Sequence, residues 1–314
     1  MTVLVEAAPG ATRALVMADA TPVEAHLRRT DVRLLHGLIA PARLVRREAG
    51  QGVVQIAGEE AVVSPLSADW HEGQTRLAQV LREARSDGAR DKQARVAAHD
   101  GPVRDAPALG ESLGAQTVET LLPFGVDRLA DAGWDLVVEE ATTGLIGFAG
   151  GRLLMADTPA MLVIDVDGPG DLARLAEGAA RAVAAAIRRH GIGGPVVVDF
   201  PSLGGKGPRA VVDAILAQSL PPPFEKTVMN GFGLVQIIRP RTRLSMLEQA
   251  RRPGFGALEL LRRAMRLSGA VTISGPASVV DWLSARPALT EELARITGGR
   301  VALQSGGIGH VQNG

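Results

Sequence analysis

Three aspartates carry the most specific chemistry in the chain: Asp165, Asp167 and Asp199. Asp165 ends the apolar run Met161-Leu162-Val163-Ile164, and Asp199 ends the run Val196-Val197-Val198. In open α/β sheets, ligand and catalytic groups gather at the carboxyl ends of strands. Two carboxylates converging there without a cation repel, and one of them has its pKa raised. A bound Mg²⁺ removes that cost and prefers a shell of carboxylate and water. In phosphodiester hydrolysis such an ion polarises a phosphoryl oxygen and activates water. Asp167 follows Asp165 by two positions and so lies on the same side of a strand. It is a candidate to help bind the metal, to orient Asp165, or simply to begin the turn at Gly168. The plain alternative for all three is a helix cap or a turn.

Basic residues form the second group. Arg239, Arg241 and Arg243 alternate along an extended segment and could touch phosphates. The alternative is a solvated Arg-rich edge: of 34 basic residues only Lys92, Lys206 and Lys226 are Lys, a bias that dilutes the meaning of any one Arg. Lys206, in Leu203-Gly-Gly-Lys-Gly-Pro208, resembles a phosphate-cradling loop at a helix start, without the GxxxxGK[ST] spacing of a nucleotide-triphosphate loop. Gly306-Gly307-Ile308-Gly309 reads as a flexible tail. The six His have no HExxH or other metal spacing, and no Gly-x-Ser-x-Gly elbow is present. With no Cys, thiolate zinc sites, disulfides and Cys nucleophiles are excluded.

The elements that must position these groups read as a mixed α/β (α+β) chain. Residues 1–35 alternate short apolar runs with polar breaks, as in an antiparallel meander, and 36–82 continue as short strands around Gly-bearing turns, which suits a small barrel. A polar junction follows from Glu83 to Asp105, and 111–133 read as helical or mixed. Strands are expected at Leu153–Met155 and Met161–Ile164. A helix capped by Asp171 then runs to about His190, with Gly191 at its C′ position, and leads to the strand Val196–Phe200. This strand–helix–strand unit is most simply a right-handed parallel crossover. A helix over 208–219, a strand over 233–238 and helices over 243–250 and 256–267 follow. Residues 268–314 read as a small α/β tail.

The motifs resemble a known family. Gly150-Gly151-Arg-Leu-Leu-Met-Ala-Asp-Thr158-Pro-Ala160-Met-Leu-Val-Ile164-Asp165-Val166-Asp167 is similar to the ribonuclease E/G segment GGxLxIxxTEAxxxIDxN. Gly193-Gly194-Pro-Val-Val-Val198-Asp199-Phe200 is similar to GGxIxIDF, and Arg209-Ala-Val-Val-Asp-Ala-Ile-Leu216 to the RxxVxxxL helix that follows it. Lys226–Arg243 is similar to the run ending GLVEMTRKRTR. Glu72–Arg85 resembles the end of the family's OB-type module. The resemblance implies an OB-like RNA-binding barrel at 34–98 and a metal-dependent nuclease-like catalytic domain at 141–252. It also implies a ribonuclease-H-like structural part from 1–33 and 105–140, and a small α/β domain at 253–314.

By the same resemblance, Asp165 and Asp199 hold Mg²⁺, with Mn²⁺ as an alternative, and Asp167 stands where the family has an orienting Asn. Arg209, Lys226, Arg239, Arg241 and Arg243 are the expected RNA contacts. The implied activity is endonucleolytic hydrolysis of single-stranded RNA in processing or decay. The departures point toward an RNA-binding or assembly paralogue with a weakened site, while a small-molecule α/β enzyme has only generic strand-end chemistry behind it. Thr-Glu-Ala is Thr158-Pro159-Ala160, a polar loop after the first Asp is missing, and no segment matches the 5′-phosphate sensor. The family's Cys-x-x-Cys zinc link is impossible here, so any homo-oligomer forms without zinc. Trp70 is the one aromatic in the expected barrel.

Composition narrows the partners. The formal net charge is zero, which argues against a strong non-specific polyanion binder and leaves room for a local basic site. With no Tyr, six Phe and three Trp, base stacking has few platforms. The first residues lack a signal-peptide pattern and no apolar run approaches the ~20 residues of a membrane span, so a cytoplasmic protein without membrane contact is expected.

Overall fold

The computed structural model describes residues 1–86, 91–114 and 117–314. Residues 87–90, within the polar junction, lie outside the described residues. The chain is mixed α+β and divides into two compact units, each made of discontinuous segments. Among the described residues, no helix is long and apolar enough to cross a membrane.

One unit comprises Val32–Ala108 and Gly144–Ser245. Its first part is a closed barrel of five strands: Ile39–Glu48, Gln51–Ile56, Glu59–Val63, Thr75–Arg82 and Ala94–Ala98. Inward positions are small or branched (Ala42, Leu44, Val54, Ala61, Val63, Ala78, Val80, Val96), the taper a five-stranded barrel needs to fill its interior. Trp70 is fully buried in that core and donates Nε1–H to the Gln74 carbonyl. The barrel's one aromatic is therefore packing material, with no face for a base.

The second part is a six-stranded sheet in the order Leu145–Phe148, Gly151–Asp157, Leu162–Asp167, Gly194–Asp199, Leu234–Arg239, Glu225–Lys226. Leu162–Asp167 and Gly194–Asp199 are its parallel pair, joined by the helix Leu172–Arg189. That helix starts where Asp171 accepts a hydrogen bond from the Arg174 amide (2.9 Å) and ends at His190, followed by Gly191 at φ 60°. Its buried face is mostly Ala (Ala176, Ala179, Ala180, Ala184), with Leu175, Val183 and Ile187, so the backbone can lie close to the sheet. Strand residues alternate accordingly. Leu162, Ile164 and Val166 are buried, while Val163, Asp165 and Asp167 are half-buried or exposed.

The other unit comprises Met1–Asp31, Leu109–Thr143 and Met246–Gly314. Strands Thr2–Ala8, Ala11–Ala18 and Thr21–Arg29 form the expected antiparallel meander. The strand Thr117–Leu121 adds in parallel to Thr2–Ala8; the sequence reading had no strand there. The tail, expected as a domain of its own, is not separate. Val271, Ile273, Leu283 and Leu293 lie in one hydrophobic core with Leu4, Leu15, Leu27 and Trp134. Neither a small three-stranded sheet nor a one-sided meander buries enough apolar surface alone, so they share a core. Gly306–Gly309 is not a loose tail either. It links Gly298–Ser305 to His310–Asn313, which flank Gly269–Gly275 on opposite sides, and Gly306 donates its amide to the Gly275 carbonyl at 2.8 Å.

Candidate functional site

The parallel register places the two strand-end aspartates directly against each other. Leu162 pairs with Val196, Val163 with Val197, Ile164 with Val198 and Asp165 with Asp199. Neighbouring strands are about 4.8 Å apart, so the two Cβ atoms leave one side of the sheet at that order of separation. Both side chains are on the exposed side, opposite the buried Ile164 and Val198. Among the described residues neither carboxylate has a hydrogen-bond or ion-pair partner. They sit in a row that runs Leu145, Leu154, Asp165, Asp199, Leu234 across five strands. Two anionic groups held side by side repel each other, an arrangement that a divalent cation relieves.

Asp167 shares that side of the strand but is otherwise engaged. It pairs across the antiparallel register with Arg152, whose Nε and Nη2 reach Asp167 Oδ2 at 2.9 and 2.6 Å. The guanidinium cancels the charge that an Asp in place of Asn adds. The pair borders a shallow cleft with Gly151, Gly168 and Pro169, of about 490 Å³. No cluster of three or more His, Asp or Glu fit for a metal ion is found among the described residues. Two carboxylates with the remaining positions left to water would suit Mg²⁺.

All five expected basic contacts have partners within the protein, and four of them are turned into it. Lys226 Nζ lies 2.6 Å from Asp213 Oδ1, both side chains largely buried, and Asp213 also accepts the Met229 amide. Arg239 donates to the carbonyls of Pro221 and Ile192 at 3.1 and 2.6 Å. Arg241 places Nε and Nη2 on the Gly193 carbonyl at 2.9 and 2.7 Å. Burial holds the Arg243 guanidinium below its ordinary pKa despite the nearby Glu83 carboxylate, and that residue's amide donates to the Thr242 carbonyl. The alternation that suggested a phosphate-binding edge thus serves to seat the segment after Leu234–Arg239. A guanidinium satisfies several carbonyls at once, which this loop-rich edge requires.

Arg209 stands differently. Its Nε donates to the Gly205 carbonyl at 2.9 Å, and Nη1 would lie 3.4 Å from a Cβ built on Gly231. It therefore bridges the loop after Asp199 and the hairpin tip 227–233. Lys206, the first residue of the helix Lys206–Ser219, is exposed.

That hairpin tip lies in the run Lys226–Arg243 that carried the resemblance, but the sequence reading gave it no role of its own. Asn230 Oδ1 accepts the amides of Phe232 and Leu234 at 2.9 and 3.1 Å, and the Phe200 amide donates to the Gly233 carbonyl at 3.2 Å. Gly233 has φ 91°, and a Cβ there would come within 2.2 Å of the Phe200 carbonyl oxygen, so no other residue lets the tip close on the strand end. The turn itself was signalled by the Asn-Gly-Phe-Gly punctuation.

A scan against protein-family models and a search of curated proteins find no match to the chain.

Proposed function

We propose that the chain is a Mg²⁺-dependent endoribonuclease of ribonuclease E/G type that hydrolyses phosphodiester bonds in single-stranded RNA. One observation carries the reading: Asp165 and Asp199 are register partners at the ends of adjacent parallel strands, exposed and, among the described residues, without a protein partner. The order of the motifs around them supports the same reading. Asp165 and Asp199 would hold the ion, and Arg152 with Asp167 would set the local charge beside it. When bound, Mg²⁺ supplies charge neutralisation at the phosphoryl oxygens and acidity to a coordinated water. The residues around it hold the strand ends and the hairpin tip in place, and Arg209 and Lys206 offer cations to the flanking phosphates.

The test is cleavage of a labelled AU-rich single-stranded RNA by the full chain, with Mg²⁺ and with EDTA. The expected result is Mg²⁺-dependent internal cleavage that Asp165→Asn or Asp199→Asn lowers by about 100-fold or more, the scale of removing one electrostatic stabiliser. Cleavage unaffected by either substitution would overturn the assignment.

A second reading, an RNA-binding paralogue that no longer cleaves, draws on the inward-turned Lys226, Arg239 and Arg241. Under it the same RNA is bound and remains intact at every Mg²⁺ or Mn²⁺ concentration.

A further inference from the structure

Phe232 is 81% exposed, more than any other Phe or Trp among the described residues. A Phe held in water costs about 1.5–3 kcal/mol relative to burial, and this tip does not relax to hide it. Asn230 and Gly233 fix the backbone on both sides of the ring. Phe232 is two residues from Leu234, the register partner of Asp199, so its Cα lies within about 12 Å of that aspartate. The first turn of the helix Lys206–Ser219 carries Lys206 and Arg209, the latter facing Gly231 next to the ring. An exposed aromatic ring thus stands near Asp199, with Arg209 beside the tip and Lys206 exposed three residues before Arg209.

We propose that Phe232 is the residue on which an unpaired nucleobase stacks, with Lys206 and Arg209 taking the neighbouring phosphates. A single strand presents both a π-face and a backbone charge at short spacing, whereas a duplex hides the face. A protein partner would use the same ring but would draw less from the cations Lys206 and Arg209 on the neighbouring helix start than a phosphate backbone does. The inference rests on the RNA reading for its ligand class, and its test separates binding from cleavage.

Binding of fluorescein-labelled ten-nucleotide polyuridine and polyadenine RNAs to the full chain is measured in EDTA, where no metal-dependent cleavage occurs. Phe232→Ala and Phe232→Leu should each weaken binding by about 5- to 100-fold, the range of one lost base stack. Phe232→Trp should bind at least as tightly as the parent, and its extra emission should be quenched by the oligonucleotide. Lys206→Ala should reduce the slope of log K against log salt by about 0.7. Unchanged affinity in Phe232→Ala overturns the proposal. So does full affinity in Phe232→Leu, which would mean a merely apolar contact, and so does absence of binding by the parent protein. An emission change of Phe232→Trp that follows protein concentration without RNA would assign the ring to self-association and also overturn it. Stacking without any cleavage by the parent leaves this inference standing while the proposed catalysis fails.

Discussion

Asp167 and Arg152 face each other across an antiparallel register, and the pair decides what the extra carboxylate does. Both side chains are more than half exposed, so the ion pair contributes at most about 1 kcal/mol to stability. Its larger effect is local: it keeps the charge beside Asp165 near that of a neutral residue. Substituting Asp167→Asn leaves the Arg152 cation uncompensated next to the carboxylate pair, and Mg²⁺ affinity should fall. Arg152→Ala leaves a third uncompensated carboxylate, and Mg²⁺ affinity should rise. A Mg²⁺ titration followed by thermal shift reads both, with the metal-free melting temperatures changing little. Equal Mg²⁺ dependence in all three proteins would make the pair a surface feature without influence on the site.

At the scale of elements, the crossover that brings Asp165 to Asp199 was legible in the sequence. Its apolar runs, the Asp171 cap and Gly191 are local signals, whereas the register that sets Asp165 against Asp199 is a pairing between strands that no local pattern carries. The roles of the basic residues were not legible. Whether a guanidinium meets a phosphate or a carbonyl depends on contacts such as Arg239 with Ile192, 47 positions away. Period and spacing hold no information about that distance. Lys226 illustrates the consequence, because its link to Asp213 pins the short strand Glu225–Lys226 onto the helix Lys206–Ser219. Lys226→Met strands a largely buried Asp213 and should cost about 1–3 kcal/mol in urea unfolding. The salt dependence of RNA binding should stay the same in Lys226→Met and in Arg241→Ala. A flatter slope in either would return that residue to the RNA contacts.

For the molecule as a whole, the costliest single charges to disturb are in the unit that holds the meander and tail. Glu259 accepts from Arg13 Nε and Trp134 Nε1, each at 3.0 Å, and from Arg262 at 3.3 Å. Arg262, fully buried, also reaches Asp127 and Asp135 at 2.6 and 2.7 Å, while Arg266 pairs with the buried Glu6. Burial pushes the Glu259 carboxyl up, but Arg13 and Arg262 outweigh it and hold it below its ordinary value. Burial likewise raises Asp127, and the Ala130 amide with Arg262 brings it below. Such depressed groups stabilise the fold above the unfolded-state pKa, and that contribution is lost as pH falls through the folded value. Glu6 runs the other way, raised by burial against Arg266, so its cost is present at neutral pH and disappears in acid. Glu259→Gln should cost about 3–5 kcal/mol at pH 7 by leaving buried guanidiniums short of a counter-charge. It should also flatten the fall in melting temperature below about pH 4.5, the ordinary Glu value. A melting curve against pH that keeps its acid limb in the variant would locate the effect in other carboxylates. None of this network could be read from the sequence, since Arg13 and Glu259 are 246 positions apart.

The borders of the six-stranded sheet have a consequence for how molecules of this protein meet one another. Its outermost strands are the four-residue Leu145–Phe148 and the two-residue Glu225–Lys226. A border so short offers few unpaired amides and carbonyls to a strand from another chain, and the second carries a charge at each of its positions. The neighbouring barrel is closed and has no border at all. The unit can therefore leave Leu154 and Ile238 exposed on its open face without becoming a template for sheet-to-sheet growth into fibres.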